Sequence, residues 1–114
     1  MRLGYIILYV PDVPATLDFY ERAFGLERGF LHESNTYGEM ETGDTALAFA
    51  AESLVAINGI TARPNRPSDP PAAAEIGLVT DNVEAAYRKA VSAGAVAYLE
   101  PTEKPWGQTC RLCA

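Results

Sequence analysis

LGYIILYVPDVPATLDFYERAFG, residues 3–25, reads as a strand followed by a capped helix. Residues 3–10 are nearly all apolar or aromatic, rich in Ile, Val and Tyr, and stop at Pro11, which predicts a strand buried on both faces. Asp12 can accept from the free N–H groups of a following helix, Pro14 is tolerated in a first turn, and Gly25 supplies a left-handed stop. Between those signals Val13, Leu17, Tyr20 and Phe24 recur at spacings of four, three and four, while Asp18, Glu21 and Arg22 can face water.

Downstream, residues 27–34, 36–42 and 45–51 are of strand length and are separated by Ser34-Asn35 and by the turn signal Gly43-Asp44. Residues 62–71 hold four of the eight prolines, with Asn65, Ser68 and Asp69 between them, and can form neither a central strand nor a helix. After this linker the opening pattern returns. Residues 75–80 read as a strand, Asp81 as a cap, residues 83–93 as a helix and Gly94 as its stop. Asp12 to Gly25 and Asp81 to Gly94 both span 13 positions, so a duplicated unit is the simplest account. Residues 95–100 and 107–112 read as two more strands, joined through Pro101 to Pro105.

At 114 residues the chain is expected to form one domain, 1–114, with a first module over 1–58, a Pro-rich linker over 59–74 and a second, shorter module over 75–114. Hydrophobic residues make up 48% and charged residues 21%, which is outside the disordered regime. Nine basic against fifteen acidic side chains, with no basic patch, argue against nucleic acid and mildly favour a cationic ligand. No signal peptide or membrane-length apolar run is present, and two cysteines cannot staple a secreted fold, so a cytoplasmic protein without membrane partners is expected.

The Asp-capped helix with Leu17-Asp18-Phe19-Tyr20, then Phe24-Gly25-Leu26, three strands, and the weaker copy through Asp81-Asn82-Val83-Glu84 and Gly94 resemble the vicinal oxygen chelate superfamily. That superfamily includes glyoxalase I, bleomycin-resistance proteins and ring-cleaving dioxygenases. The resemblance runs from residue 1 to about 109 and takes in Lys104-Pro105-Trp106-Gly107. It implies an α+β fold of two βαβββ-type modules, the second truncated, whose mixed sheets curl into a cup, usually completed in a dimer. It also implies four metal-ligand positions in the metal-dependent members. Here these hold Tyr5, Ala48 and Glu75, and the fourth falls beyond the sequence. Neutral tyrosine is a poor donor and one carboxylate is not a ligand set, so no metal and no cofactor is expected.

If Tyr5 points into the cup, as the resemblance implies, alternation along a strand sends Ile7 and Tyr9 there too, with Ala46, Ala48 and Ala50, while Ile6, Leu8, Val10, Leu47 and Phe49 face the helix. An alanine floor beside tyrosines suits an apolar, aromatic or cationic guest. The candidate ligand contacts are therefore Tyr5, Ile7, Tyr9, Ala48, Glu75 and Trp106. Glu75, read as partly buried at a strand entrance, is the candidate acid or base, with a solvated strand end as the plainer reading. Trp106 is either a rim aromatic or a plug for the sheet end. His32, the sole histidine, reads as a surface strand residue, and the lone C-x-x-C of Cys110 and Cys113 as chemically idle.

Three functions compete. The first is metal-independent sequestration of a small molecule, in the manner of bleomycin-resistance proteins. The second is a lyase, isomerase or dioxygenase using Glu75, or a metal site completed across a dimer. The third is a non-catalytic assembly module. A sheet short of its last strand leaves an open edge, so a homodimer, strand-exchanged in one form, is the expected assembly.

Overall fold

A computed structural model describes residues 1–103, 105 and 109–113, with side chains described through residue 97 and at residue 105. Strand β1 (Tyr5–Val10), helix α1 (Val13–Phe24), and strands β2 (Glu27–Leu31), β3 (Tyr37–Glu41) and β4 (Ala46–Ala51) build a four-stranded sheet of order β1-β4-β3-β2. β1 runs parallel to β4, and the other neighbours are antiparallel. The chain continues through a short helix α2 (Leu54–Ile57) and a long connection to helix α3 (Val83–Ser92). It closes with strands β5 (Ala97–Glu103) and β6 (Thr109–Cys113), paired antiparallel. The class is α+β with a mixed, open, curled sheet, as expected from the sequence. Among the described residues no helix is long and apolar enough to cross a membrane.

The α1 signals act as read. Asp12 Oδ1 accepts from the Ala15 N–H at 3.0 Å, and Gly25 adopts φ 67° while its N–H donates to Glu21 O at 3.0 Å. The apolar stripe presses Val13 and Leu17 onto Met40, Leu47 and Phe49, with Leu8, Val10 and Tyr20 around them. Each such side chain contributes about 1.5–3 kcal/mol by leaving water. Arg28 on β2 ties the sheet to the polar side of α1, donating to Asp18 at 2.5 Å and to both oxygens of Glu21 at 3.1 Å. Below them Ala23 of α1 meets Ala90 of α3 and Ala95, where small side chains let the two helices approach closely.

Gly38 lies where α1 comes nearest the sheet. A methyl group there would stand 2.7 Å from Leu17 Cδ1, 3.1 Å from the Phe30 carbonyl oxygen and 3.3 Å from Val13 Cγ1. Because the first neighbour is fully buried and the second is backbone, the clash has no cheap escape. Gly38→Ala is expected to destabilise the fold by about 1–3 kcal/mol. An unchanged urea midpoint would show that α1 sits farther from β3 than this packing requires.

Several sequence expectations need correction. β1 is not buried on both faces: Tyr5 and Ile7 are exposed on the face that carries no helix, and Ile6 is exposed at the sheet edge that β1 forms. Residues 75–80 form no strand. Their β-type composition has no neighbouring ladder to join, and a strand exists only through pairing. The α3 cap is Asn82, whose Oδ1 accepts from the Ala85 N–H at 3.0 Å, and not Asp81. The matched 13-residue spacing therefore does not mark equivalent caps. α2 carried no advance signal, and β5 runs on through Pro101 to Glu103, with a register irregularity between Leu99 and Thr102 that accommodates the proline.

Candidate functional site

The two faces of the four-stranded sheet have opposite characters. On the helix side lie Leu8, Val10, Met40, Leu47 and Phe49. On the other face the strand registers align Tyr5 with Ala46, Ile7 with Ala48, and Tyr9 with Ala50, then Ala48 with Glu39 and Ala50 with Tyr37. Residues directly opposite in a ladder share a face. This side therefore presents tyrosine and isoleucine on β1, an alanine strand in the middle, and tyrosine and glutamate on β3.

The alanine floor is deep. Ala48 and Ala50 are buried, whereas Tyr5 is 58% exposed and Ile7 46% exposed, with Tyr9 and Tyr37 half-buried. The larger side chains thus stand as walls above the alanines. Phe30 joins them through a bulge: the register slips between Arg28 and Phe30, so Arg28 opposes Met40 while Phe30 opposes Glu39. Two residues that simple alternation would put on one face are sent to opposite faces. The Phe30 ring, 46% exposed, lies 6.5 Å from that of Tyr37.

The polar anchor on this face is a pair within β3. Tyr37 Oη donates to Glu39 Oε1 at 2.8 Å. Among the described residues Tyr37 is the partner of this carboxylate, leaving Glu39 Oε2 as an acceptor. Burial, then the Glu39 hydrogen bond and charge, and lastly Tyr5, push the Tyr37 hydroxyl up to about 12. Tyr37 is consequently a hydrogen-bond donor throughout the physiological range. The sign for stability follows: folded Tyr37 keeps its proton where unfolded tyrosine, near 10, loses it. Its contribution is intact below about pH 10 and is lost as pH rises toward about 12. Burial also pushes Tyr20 up. Phenolate absorbance should therefore show late titration to which Tyr20 and Tyr37 contribute, and part of it should disappear in Tyr37→Phe; a variant curve superposable on the parent's would remove the Tyr37–Glu39 bond from the account.

The residues singled out from sequence are only partly assembled. Tyr5, Ile7, Tyr9 and Ala48 share the sheet face. Glu75 is exposed rather than partly buried and belongs to no strand, and the following residues Ile76 to Val79 line a hollow of about 320 Å³ with Ile6, Leu26 and Leu47. His32 is exposed just past β2, with Nδ1 2.7 Å from Ser34 Oγ. Trp106 and the side chains of Cys110 and Cys113 lie outside the described residues. Phe30, Tyr37 and Glu39 were not anticipated. The alternation applied to β1 and β4 would have found Tyr37 and Glu39 had it been extended to β3; the bulge that turns Phe30 has no comparable signal.

A match to the family model of the Glyoxalase/Bleomycin resistance protein/Dioxygenase superfamily runs over residues 2–111. The chain belongs to that superfamily. Among solved structures, a glyoxalase-related enzyme from Fulvimarina pelagi superposes with a TM-score of 0.79 at 20% identity, covering 100% of this chain and 80% of that one. A glyoxalase/bleomycin resistance protein/dioxygenase family enzyme from Burkholderia phytofirmans PsJN gives 0.73 at 20% identity, covering 99% and 89%. TioX from Micromonospora sp. ML1 gives 0.65 at 16% identity, also covering 99% and 89%. At these identities the likeness is one of fold. No protein of curated function matches the sequence.

For a glyoxalase-superfamily chain the fit to a divalent metal can be tested on the donors in place. Tyr5 and Ala48 occupy two of the ligand positions that the resemblance implies, and Glu75, at a third, is exposed and outside any strand. Among the described residues no group of three or more His, Cys, Asp or Glu side chains converges. This donor set does not suit a transition metal, which needs three or four N, O or S ligands in defined geometry.

Proposed function

We propose that this glyoxalase-superfamily protein binds a small aromatic or apolar molecule, cationic where it is charged, on the open sheet face, without a metal ion. The observation that carries the reading is the composition of that face: Tyr5, Ile7, Tyr9, Phe30 and Tyr37 rise around a buried alanine strand, and Glu39 supplies the charge. Aromatic faces attract cations and flat apolar rings alike, and an acceptor carboxylate beside them favours a ligand bearing N–H groups or positive charge. Arg28, the nearby base of β2, is turned to α1 and engaged by Asp18 and Glu21, so it does not offset Glu39.

Tryptamine is a suitable probe, with 3-methylindole as its uncharged counterpart. The expected result is saturable shifts of the backbone amides of Tyr5, Ile7, Phe30, Tyr37 and Glu39 by NMR, weakened several-fold in Glu39→Gln. Shifts confined to other surfaces would sink the reading, and equal binding of both probes would remove Glu39 from it as the charge anchor. Titration with Ni²⁺, Zn²⁺, Fe²⁺ and Mn²⁺ should produce no saturable rise in Tm.

An enzymatic reading with Glu75 as acid or base predicts instead that Glu75→Gln abolishes turnover while leaving ligand affinity intact. The exposed side chains of Leu3, Tyr5 and Ile7 along the β1 edge further support a homodimer in which a second chain covers part of this face. Sedimentation velocity at micromolar concentration tests that assembly.

A further inference from the structure

The Pro-rich segment, 62–71, is held against the sheet at the C-terminal end of β1. Arg66 grips Glu52, which follows β4, with both terminal nitrogens, Nη1 to Oε1 at 2.6 Å and Nη2 to Oε2 at 2.9 Å. Within the segment Arg63 Nη2 donates to Pro70 O at 3.2 Å, and the Asp69 N–H donates to Arg66 O at 3.0 Å. Prolines at 64, 67, 70 and 71 stiffen what these bonds hold. The result is a strap fastened at one point by a two-pronged ion pair.

Beneath the strap is a hollow of about 360 Å³ that adjoins the open sheet face along Ile7 and Tyr9. Ile7 of β1 and Val55 of α2 supply its apolar side chains. Its polar groups are Tyr9, Glu52, Asn65 and Arg63. Their charges do not cancel. Glu52 is committed to Arg66, which holds its carboxyl below the usual range through the hydrogen bonds first and the charge second. Arg63 has no carboxylate partner among the described residues and has given one N–H to a carbonyl, so its planar guanidinium remains available. Tyr9 Oη accepts from Asn58 Nδ2 at 3.0 Å and keeps its own proton to donate.

A partly apolar hollow bordered by an arginine that no described carboxylate hydrogen-bonds and by a phenol donor suits an amphipathic anion, since a carboxylate matches the fork of an arginine. The volume is near the lower end for small-molecule sites, which favours a small guest. We infer that the hollow under the strap is a binding site for a small aromatic or branched aliphatic monocarboxylate, paired to Arg63 and packed on Ile7 and Val55. The site stands whether or not the open sheet face takes a ligand.

Phenylacetate and its neutral analogue phenylacetamide, titrated into the full chain and followed by amide NMR, test this inference. Phenylacetate should shift Ile7, Val55 and Arg63 saturably, with phenylacetamide at least about tenfold weaker. Arg63→Gln should bring the acid down to the level of the amide, and Arg63→Lys should recover part of the difference. Arg63 is exposed, so an unaltered spectrum of the free variant checks folding. Equal affinity for acid and amide, an acid response insensitive to Arg63→Gln, no saturation by 10 mM (a generous ceiling of about 3 kcal/mol at 25 °C), or a dimer whose interface fills the hollow each overturn the proposal. The tryptamine titration reports on Tyr37 and Glu39 separately, so either site can fail without the other.

Discussion

Phe49→Ala is expected to cost about 3–5 kcal/mol, a large share of the stability of a domain this size. Phe49 lies at the middle of β4, fully buried, with its ring 4.8 Å from Tyr20 and its neighbours drawn from α1, β3 and β4. Removing it opens a cavity between the helix and the central strand that no flexible side chain can fill, because Leu17, Val13 and Met40 are themselves locked in the same cluster. Chemical denaturation should show the midpoint falling without a change in slope. A loss below about 1 kcal/mol would mean that the core can collapse around the gap and that α1 is not rigidly seated. The open face should report the same loss, since β4 supplies its floor.

The second large effect is expected for Ala48→Glu. This substitution restores a carboxylate at a position where the resemblance places a metal ligand in metal-dependent members. It is not a neutral restoration here. Ala48 is fully buried and stands directly across the ladder from Glu39 on one side and Ile7 on the other. A longer side chain has to displace the walls, and a second carboxylate beside Glu39 has to stay protonated or repel it. Together these should destabilise the fold by about 3 kcal/mol at neutral pH, with part of the loss recovered as pH falls toward 5 and the new group takes up a proton. Equilibrium unfolding at pH 5 and pH 8 checks both the size and the sign. A variant as stable as the parent at pH 8 would indicate a roomier floor than Ala48 occupies.

What could be read in advance was what is written in local chemistry. Asp12 and Gly25 bracket α1 because a cap and a left-handed glycine act within a few residues of themselves, and the sides taken by Leu8, Val10, Leu47 and Phe49 follow from the period of a strand. What escaped depends on partners distant in sequence or on a single irregularity. The β-branched run 75–80 looks like a strand until the absence of a ladder is known. Phe30 reaches the open face only because one residue is inserted beside Gly29. Asp81 and Asn82 are both competent caps, and which of them serves is decided by where α3 packs on Ala23 through Ala90. The hollow under the strap was illegible for the same reason, since nothing in the Pro-rich segment announces that Arg66 will find Glu52.

The parallel pairing of β1 with β4 has a kinetic meaning. β2, β3 and β4 can zip together across short turns, whereas Tyr5 meets Ala46 only after α1 and two strands have found their places. Amide protons of β1 should therefore exchange ahead of those in β3 and β4, with the aromatic wall detaching first when the molecule breathes. An occupant resting on Tyr5 and Tyr9 would act as a latch on the last piece to arrive.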